Sequence, residues 1–263
     1  MIALGPIGLA GSNPFTDDAT VVAAEAREAE DLGYATLWRS GNLPMVAAAV
    51  RATTTIPVAT GIVAVSRVPA ADVIAAHRDL PADRFLLGLG GAHDAHPMAT
   101  LNAYLDDLDA AGVSTRVLAA LGPNMLDLAR DRTAGAYPYL VTPEWVAGAR
   151  VALGPESLLA VLLMIVPTRD RETARRAVAG PLEFLAAQGG YRRNLLRQGF
   201  TEADIDQVSD PLLDGIAAWG DYPTIVDRVG AYRAAGADQV VLRIIGTDEI
   251  ATARAELARR LIG

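Results

Sequence analysis

Two of the three histidines in this 263-residue chain, His93 and His96, stand close together with Asp94 between them. Imidazole changes charge near neutral pH, so a histidine beside a reacting ligand can carry a proton to or from it. The segment before them, Phe85-Leu-Leu-Gly-Leu-Gly-Gly91, is a short apolar run in which Gly88, Gly90 and Gly91 leave room for close approach to the backbone. An equally consistent reading makes the glycines a strand corner and the histidines solvated side chains. A metal centre is not expected, because catalytic zinc needs three well-placed ligands and no other strand end carries a histidine. His77, on the preceding helix, reads as structural.

A second feature is the turn Gly122-Pro123-Asn124, where an apolar strand runs into a helix. Free amides and the helix dipole suit such a turn to phosphate, and with no lysine in the chain the contacts would come from the backbone. An ordinary strand-to-helix turn is the alternative. The segment Tyr191-Arg-Arg-Asn-Leu-Leu-Arg197 could cover an anion, or be an amphipathic helix with its charges in water. Gly88-Leu-Gly90 is weak evidence for a dinucleotide fold, since no G-x-G-x-x-G follows the first strand.

All 23 basic residues are arginine, and cysteine is absent. These absences exclude thiol nucleophiles, thiolate metal sites, Schiff-base chemistry and a Walker-type lysine. A net charge of −8 argues against nucleic-acid or anionic-membrane partners. The start of the chain lacks the basic segment of a signal peptide, and the longest apolar run, 158–167, is about half a membrane span. A soluble, cytoplasmic protein acting on a small molecule is the expectation.

The elements that must position these residues alternate from end to end. Apolar runs at 2–10, 35–38, 57–63, 84–90, 115–121, 136–141, 158–166 and 238–245 read as strands. Helices are expected at 16–32 (with Thr16 or Asp17 as N-cap), 44–51, 70–80, 98–111, 124–131, from Pro143, and at 248–261. A long, wholly helical excursion is expected at about 169–235. Runs apolar throughout suit strands buried on both faces. Eight strands, each followed by a helix, predict one domain over 1–263, a (β/α)8 barrel, whose chemistry belongs to the loops after the strands.

Several stretches carry a resemblance. They are Leu32-Gly-Tyr-Ala-Thr-Leu-Trp38, Val58-Ala-Thr-Gly-Ile62, Asp83-Arg-Phe-Leu-Leu-Gly-Leu-Gly90 and Val117-Leu-Ala-Ala-Leu-Gly-Pro123. Gly135-Ala-Tyr-Pro-Tyr-Leu-Val-Thr-Pro143, Tyr191-Arg-Arg-Asn-Leu-Leu196, Trp219-Gly220 and Ala235-Gly-Ala-Asp238 continue it. In this order they resemble the bacterial luciferase-like monooxygenase superfamily, in particular its actinobacterial branch of coenzyme F-420-dependent oxidoreductases. The resemblance implies the same barrel with a helical insertion after the seventh strand. It implies a reduced deazaflavin F-420, or alternatively FMN, across the C-terminal mouth, passing hydride to an organic substrate, and often a homodimer.

It also implies residues. A non-proline cis peptide supporting the ring falls at about Ala64-Val65, the phosphate turn at Ala120, Leu121, Gly122 and Asn124, and the catalytic acid/base at His93. Gly90, Gly91 and Ala92, with Arg39 and Ser40 after the second strand, complete the expected cofactor shell. Relatives commonly present an acidic residue or histidine where this chain has Arg39-Ser40, so Arg39 would either stabilise a reduced ring or mark a pocket that has lost its chemistry. A non-catalytic cofactor- or metabolite-binding relative, and an unrelated phosphate-binding barrel enzyme, are the competing expectations.

Overall fold

In the computed structural model, which describes residues 4–92 and 95–263, eight parallel strands close into a barrel. They are β1 (Ile7–Ala10), β2 (Leu37–Arg39), β3 (Val58–Thr60), β5 (Phe85–Gly90), β6 (Arg116–Leu118), β7 (Gly135–Ala136), β8 (Leu158–Val166) and β10 (Gln239–Ile244). The short β4 (Val63–Ala64) pairs β5 above β3, and β10 closes the ring by pairing both β1 and β8. This is the (β/α)8 barrel that the alternation predicts.

The strands are apolar throughout because each is buried twice. On β8, Ala160, Leu162, Met164 and Val166 enter the inner cluster of the barrel. Their neighbours Leu159, Val161, Leu163 and Ile165 enter the outer cluster under the helices. That period of two places the inward and outward sets of every other strand.

The covering helices are α1 (Ala19–Asp31), α2 (Leu43–Ala52), α3 (Ala70–Asp79), α4 (Pro97–Ala110), α5 (Pro123–Arg132), α6 (Pro143–Leu153), α11 (Tyr222–Ala234) and α12 (Ile250–Leu261). Asp18, rather than Thr16 or Asp17, caps α1, accepting from the Thr20 N–H at 2.8 Å. Among the described residues no helix is long and apolar enough to cross a membrane.

Two strand expectations need correcting. The run at 136–141 pairs in a ladder only at Gly135–Ala136: Pro138 has no N–H to donate, and Leu140 takes a positive φ of 57°. The excursion after β8 contains α7 (Arg171–Ala186), α8 (Gly189–Arg197), α9 (Glu202–Gln207) and α10 (Asp210–Ile216), but it is not wholly helical. It returns through a strand, β9 (Ala217–Trp219), which pairs the last three residues of β8. The Gly220 N–H then donates to the Val166 carbonyl at 3.3 Å.

Candidate active site at the C-terminal mouth

The interior of the barrel is closed by an aromatic pair. Trp38 on β2 and Tyr137 after β7 stack across the lumen, and the Trp38 indole N–H donates to Gln239 Oε1 at 2.8 Å. Above this plug the chain turns sharply between β3 and β4. The non-proline cis peptide lies here, at Gly61–Ile62, three residues before the expected Ala64-Val65. The displacement follows from the split of the run 57–63. Pairing with β2 ends at Thr60, and pairing with β5 resumes at Val63, so the corner stands between them. Ala64 is part of β4, and Val65 turns its side chain into the outer cluster.

The glycines of β5 serve this corner. A Cβ on Gly88 would lie 2.0 Å from the Thr60 carbonyl oxygen, and one on Gly90 would lie 3.1 Å from Ile62. Thr60 Oγ1 accepts from the Gly88 N–H at 2.7 Å and donates to the Gly88 carbonyl at 2.8 Å. What approaches the backbone at Gly88 and Gly90 is therefore the chain itself. The result is a shelf in the mouth, with Gly61 exposed and Ile62, Gly91, Ala92 and Ala119 half-buried. Gly91, at φ 71°, accepts from the Ser66 hydroxyl at 2.7 Å.

One strand further on, Gly122 is the N-cap of α5, with no side-chain cap. Ala120 and Leu121 pack into the outer layer, leaving Gly122 and Asn124 at the opening. Arg197, the last residue of α8, lies over this turn: its Nη1 is 3.2 Å from where a Cβ on Gly122 would sit. The Arg-rich segment thus brings one of its charges onto the phosphate-type turn, whereas Arg192 is spent on surface pairs with Glu202 and Asp206.

Arg39 lies elsewhere. It is on the outward face of β2, 2% exposed, and pairs with the buried Glu25 of α1. Glu25 also pairs with Arg254 of α12 and accepts from both the N–H and the hydroxyl of Ser12 at 2.8 Å. Arg39 therefore ties the barrel to two helices and does not face the mouth; Ser40 is half-buried in the connection to α2. His93 and Asp94 lie outside the described residues. His96 is the exposed N-cap of α4, and His77, held below its ordinary pKa by burial, packs against Phe85.

Two residues of the mouth escape sequence reasoning. Arg243, on β10, follows Gln239 and Val241 on the inward face. Tyr139, 7% exposed, has a buried hydroxyl without a hydrogen-bond partner among the described residues. The signal was available in Gln-Val-Val-Leu-Arg-Ile, where two polar side chains four apart share one face of an otherwise apolar strand.

Two grooves lie outside the mouth. One of about 500 Å³ at the opposite end is lined by Arg116, Arg132 and Asp109, both arginines being paired with that aspartate. One of about 610 Å³ runs between α2 and α3.

The sequence matches no family model and no curated protein. Solved structures match over nearly the whole chain. An F420-dependent secondary alcohol dehydrogenase, in complex with an F420-acetone adduct, is 14% identical over 99% of this chain and 98% of that one, with a TM-score of 0.74. The coenzyme F420 dependent tetrahydromethanopterin reductase of Methanopyrus kandleri is 16% identical over 99% of both chains, with a TM-score of 0.71. The oxygenating constituent of a Pseudomonas putida 3,6-diketocamphane monooxygenase, in complex with FMN, is 12% identical over 98% and 96%, with a TM-score of 0.65.

The chain shares the (β/α)8 barrel fold of these structures.

Function in a barrel of this kind belongs to the C-terminal loops, where the shelf, the α5 turn and Arg243 converge. The residues present fit a planar ring with an anionic tail. Ile62 and Ala119 give an apolar face, and the uncapped start of α5 with Arg197 gives a cationic end.

Proposed function

We propose that the protein is an oxidoreductase that binds a deazaflavin, coenzyme F-420, or in its place FMN, across the mouth of the barrel. The observation that carries this reading is the adjacency of an apolar shelf on β4–β5–β6 to a cationic helix start at Gly122. A planar heterocycle with a phosphate-bearing tail needs these two surfaces in that order. When bound, the cofactor would supply the hydride. The whole-chain likeness to F420-dependent enzymes and to an FMN complex supports the same reading.

This chain's own residues do the remaining work. Ile62, Gly91 and Ala119 exclude water from one face of the ring, and the α5 amides with Arg197 hold the tail. His93, which follows β5 in the sequence, handles the proton that accompanies hydride. With Arg39 turned outward, the departure from relatives after β2 no longer bears on the ring pocket, which favours an active enzyme over a degenerate one.

Titration of the purified protein with F-420, FMN and the nicotinamides, followed by absorbance and fluorescence, tests this. F-420 or FMN is expected to bind at micromolar concentrations or below; no spectral change with either overturns the reading. His93→Ala should keep cofactor affinity and lose turnover.

A further inference from the structure

Arg243 is an exception among the inward-facing side chains. Its Nε is buried, its guanidinium donates no hydrogen bond, and it has no carboxylate partner among the described residues. The other large cations of the interior are matched: Arg39 and Arg254 by Glu25, Arg116 by Asp109. A half-buried cation is costly to leave uncompensated, and such groups elsewhere in proteins are paired. Around Arg243 stand phenols instead. Tyr137 and Tyr139 feel its charge, which draws down phenol pKa values that burial has raised, and Tyr191 of α8 completes the group, its own pKa pushed up by burial to about 12. All three are therefore neutral at pH 7, and none can neutralise the arginine.

The position in the ring decides what could. The strands run β10, β1, β2, β3, β5, β6, β7, β8, so β10 stands opposite β5. The ring shelf is built on β4, β5 and β6, and Arg243 faces it across the mouth from the far wall. Its register partner on β8 is Met164, two residues below the point where the helical excursion departs. A planar cofactor on the shelf would have Arg243 and Tyr139 beyond its open face, where the second reactant must lie.

We propose that Arg243 and Tyr139 form an anion subsite that takes the carboxylate of the substrate, so that the protein acts on small organic acids. This rests on the oxidoreductase reading for the word substrate, though not for the subsite itself. Arginine suits a carboxylate because its planar fork offers parallel N–H donors, and the orphaned Tyr139 hydroxyl supplies another.

The test uses butyrate and its neutral isostere butyramide as probes, titrated by NMR against the full chain without cofactor at constant ionic strength. Butyrate is expected to bind about ten-fold tighter than butyramide, a preference that Arg243→Gln abolishes and Tyr139→Phe reduces. Arg243→Gln removes an unpaired charge and should fold; Arg243→Lys, keeping charge but not the fork, should retain part of the preference. F-420 and FMN titrations of Arg243→Gln should match the wild type within about two-fold. Equal affinity for butyrate and butyramide overturns the subsite whatever the cofactor does. A loss of cofactor affinity in Arg243→Gln as large as the loss for butyrate assigns the charge to the ring, overturning the subsite while the oxidoreductase reading stands. Butyrate preference without any cofactor binding upholds the subsite and overturns that reading.

Discussion

The indole of Trp38 lies flat on the phenol of Tyr137, ring centroids 3.9 Å apart and planes 7° from parallel. Both rings are almost wholly buried, and they join β2 to the segment after β7 through the middle of the barrel. They are the floor on which the mouth rests. Trp38→Ala would remove the larger ring from a closed interior and is expected to cost about 3–5 kcal/mol, read from urea denaturation. Tyr137→Phe keeps the stack, and a loss under about 1 kcal/mol is expected; a loss as large as that of Trp38→Ala would show that the hydroxyl, not the ring, matters.

The Glu25 carboxylate is shared by Arg39 and Arg254 and accepts from Ser12. Removing it leaves Arg39 without a carboxylate partner and Arg254 with Glu28 alone, at residues 2% and 5% exposed. Glu25→Ala should therefore destabilise by about 3–5 kcal/mol, far more than loss of a surface pair such as Arg259 with Glu256. Thermal unfolding of the two variants side by side checks the contrast.

Gly88 has no space for a methyl group, because the Thr60 carbonyl fills it. Gly88→Ala must push β3 from β5 and is expected to cost about 1–3 kcal/mol. Since the same contact seats the Gly61–Ile62 corner, cofactor affinity should fall with it. An unchanged dissociation constant in a folded Gly88→Ala protein would detach the shelf from the binding site.

Arg197 lies over the α5 turn with its side chain exposed, so its effect should be electrostatic. Arg197→Ala is expected to weaken F-420 or FMN binding by about ten-fold at low salt, with the gap closing as ionic strength rises. A titration series in increasing sodium chloride measures both.

Glu30 gives a pH dependence. Burial alone would raise its pKa, but the backbone N–H groups of Thr55, Ile56 and Thr54, at 2.6, 3.0 and 3.0 Å, bring it from 4.5 to about 2. A carboxylate held lower in the folded chain stabilises it above pH 4.5, and that contribution fades as pH falls towards 2. The stability lost by Glu30→Ala should thus be largest near neutrality, about 1–2 kcal/mol, and shrink through that window. Chemical denaturation at several pH values reads it.

The fold was legible because its cause is a pattern of residues. Doubly buried strands leave unbroken apolar runs, and the run at Leu158–Val166 matches the strand to the residue. The site was legible only where the backbone makes it. Gly122 announces a strand-to-helix turn by composition, but the position of Arg197 over it depends on how α8 packs, which no local pattern encodes. Arg39 misled because its number in the chain is that of a mouth residue while its parity on β2 points it outward, beside Leu37 and away from Trp38. β9 was hidden because three residues, Ala-Ala-Trp, between helical stretches look like a helix end and become a strand only beside the free edge of β8. Arg243 was readable as an inward position and went unread because one arginine in a chain rich in them draws no attention.

Val166 pairs with Trp219, so the excursion that leaves the barrel after β8 comes home to the residue it left. A loop whose two ends meet is a cassette. Its length and sequence can change without moving any barrel strand, because nothing in the ring spans the distance between departure and return. That stretch of gene can therefore be exchanged as one contiguous piece while the shelf and the α5 amides stay fixed.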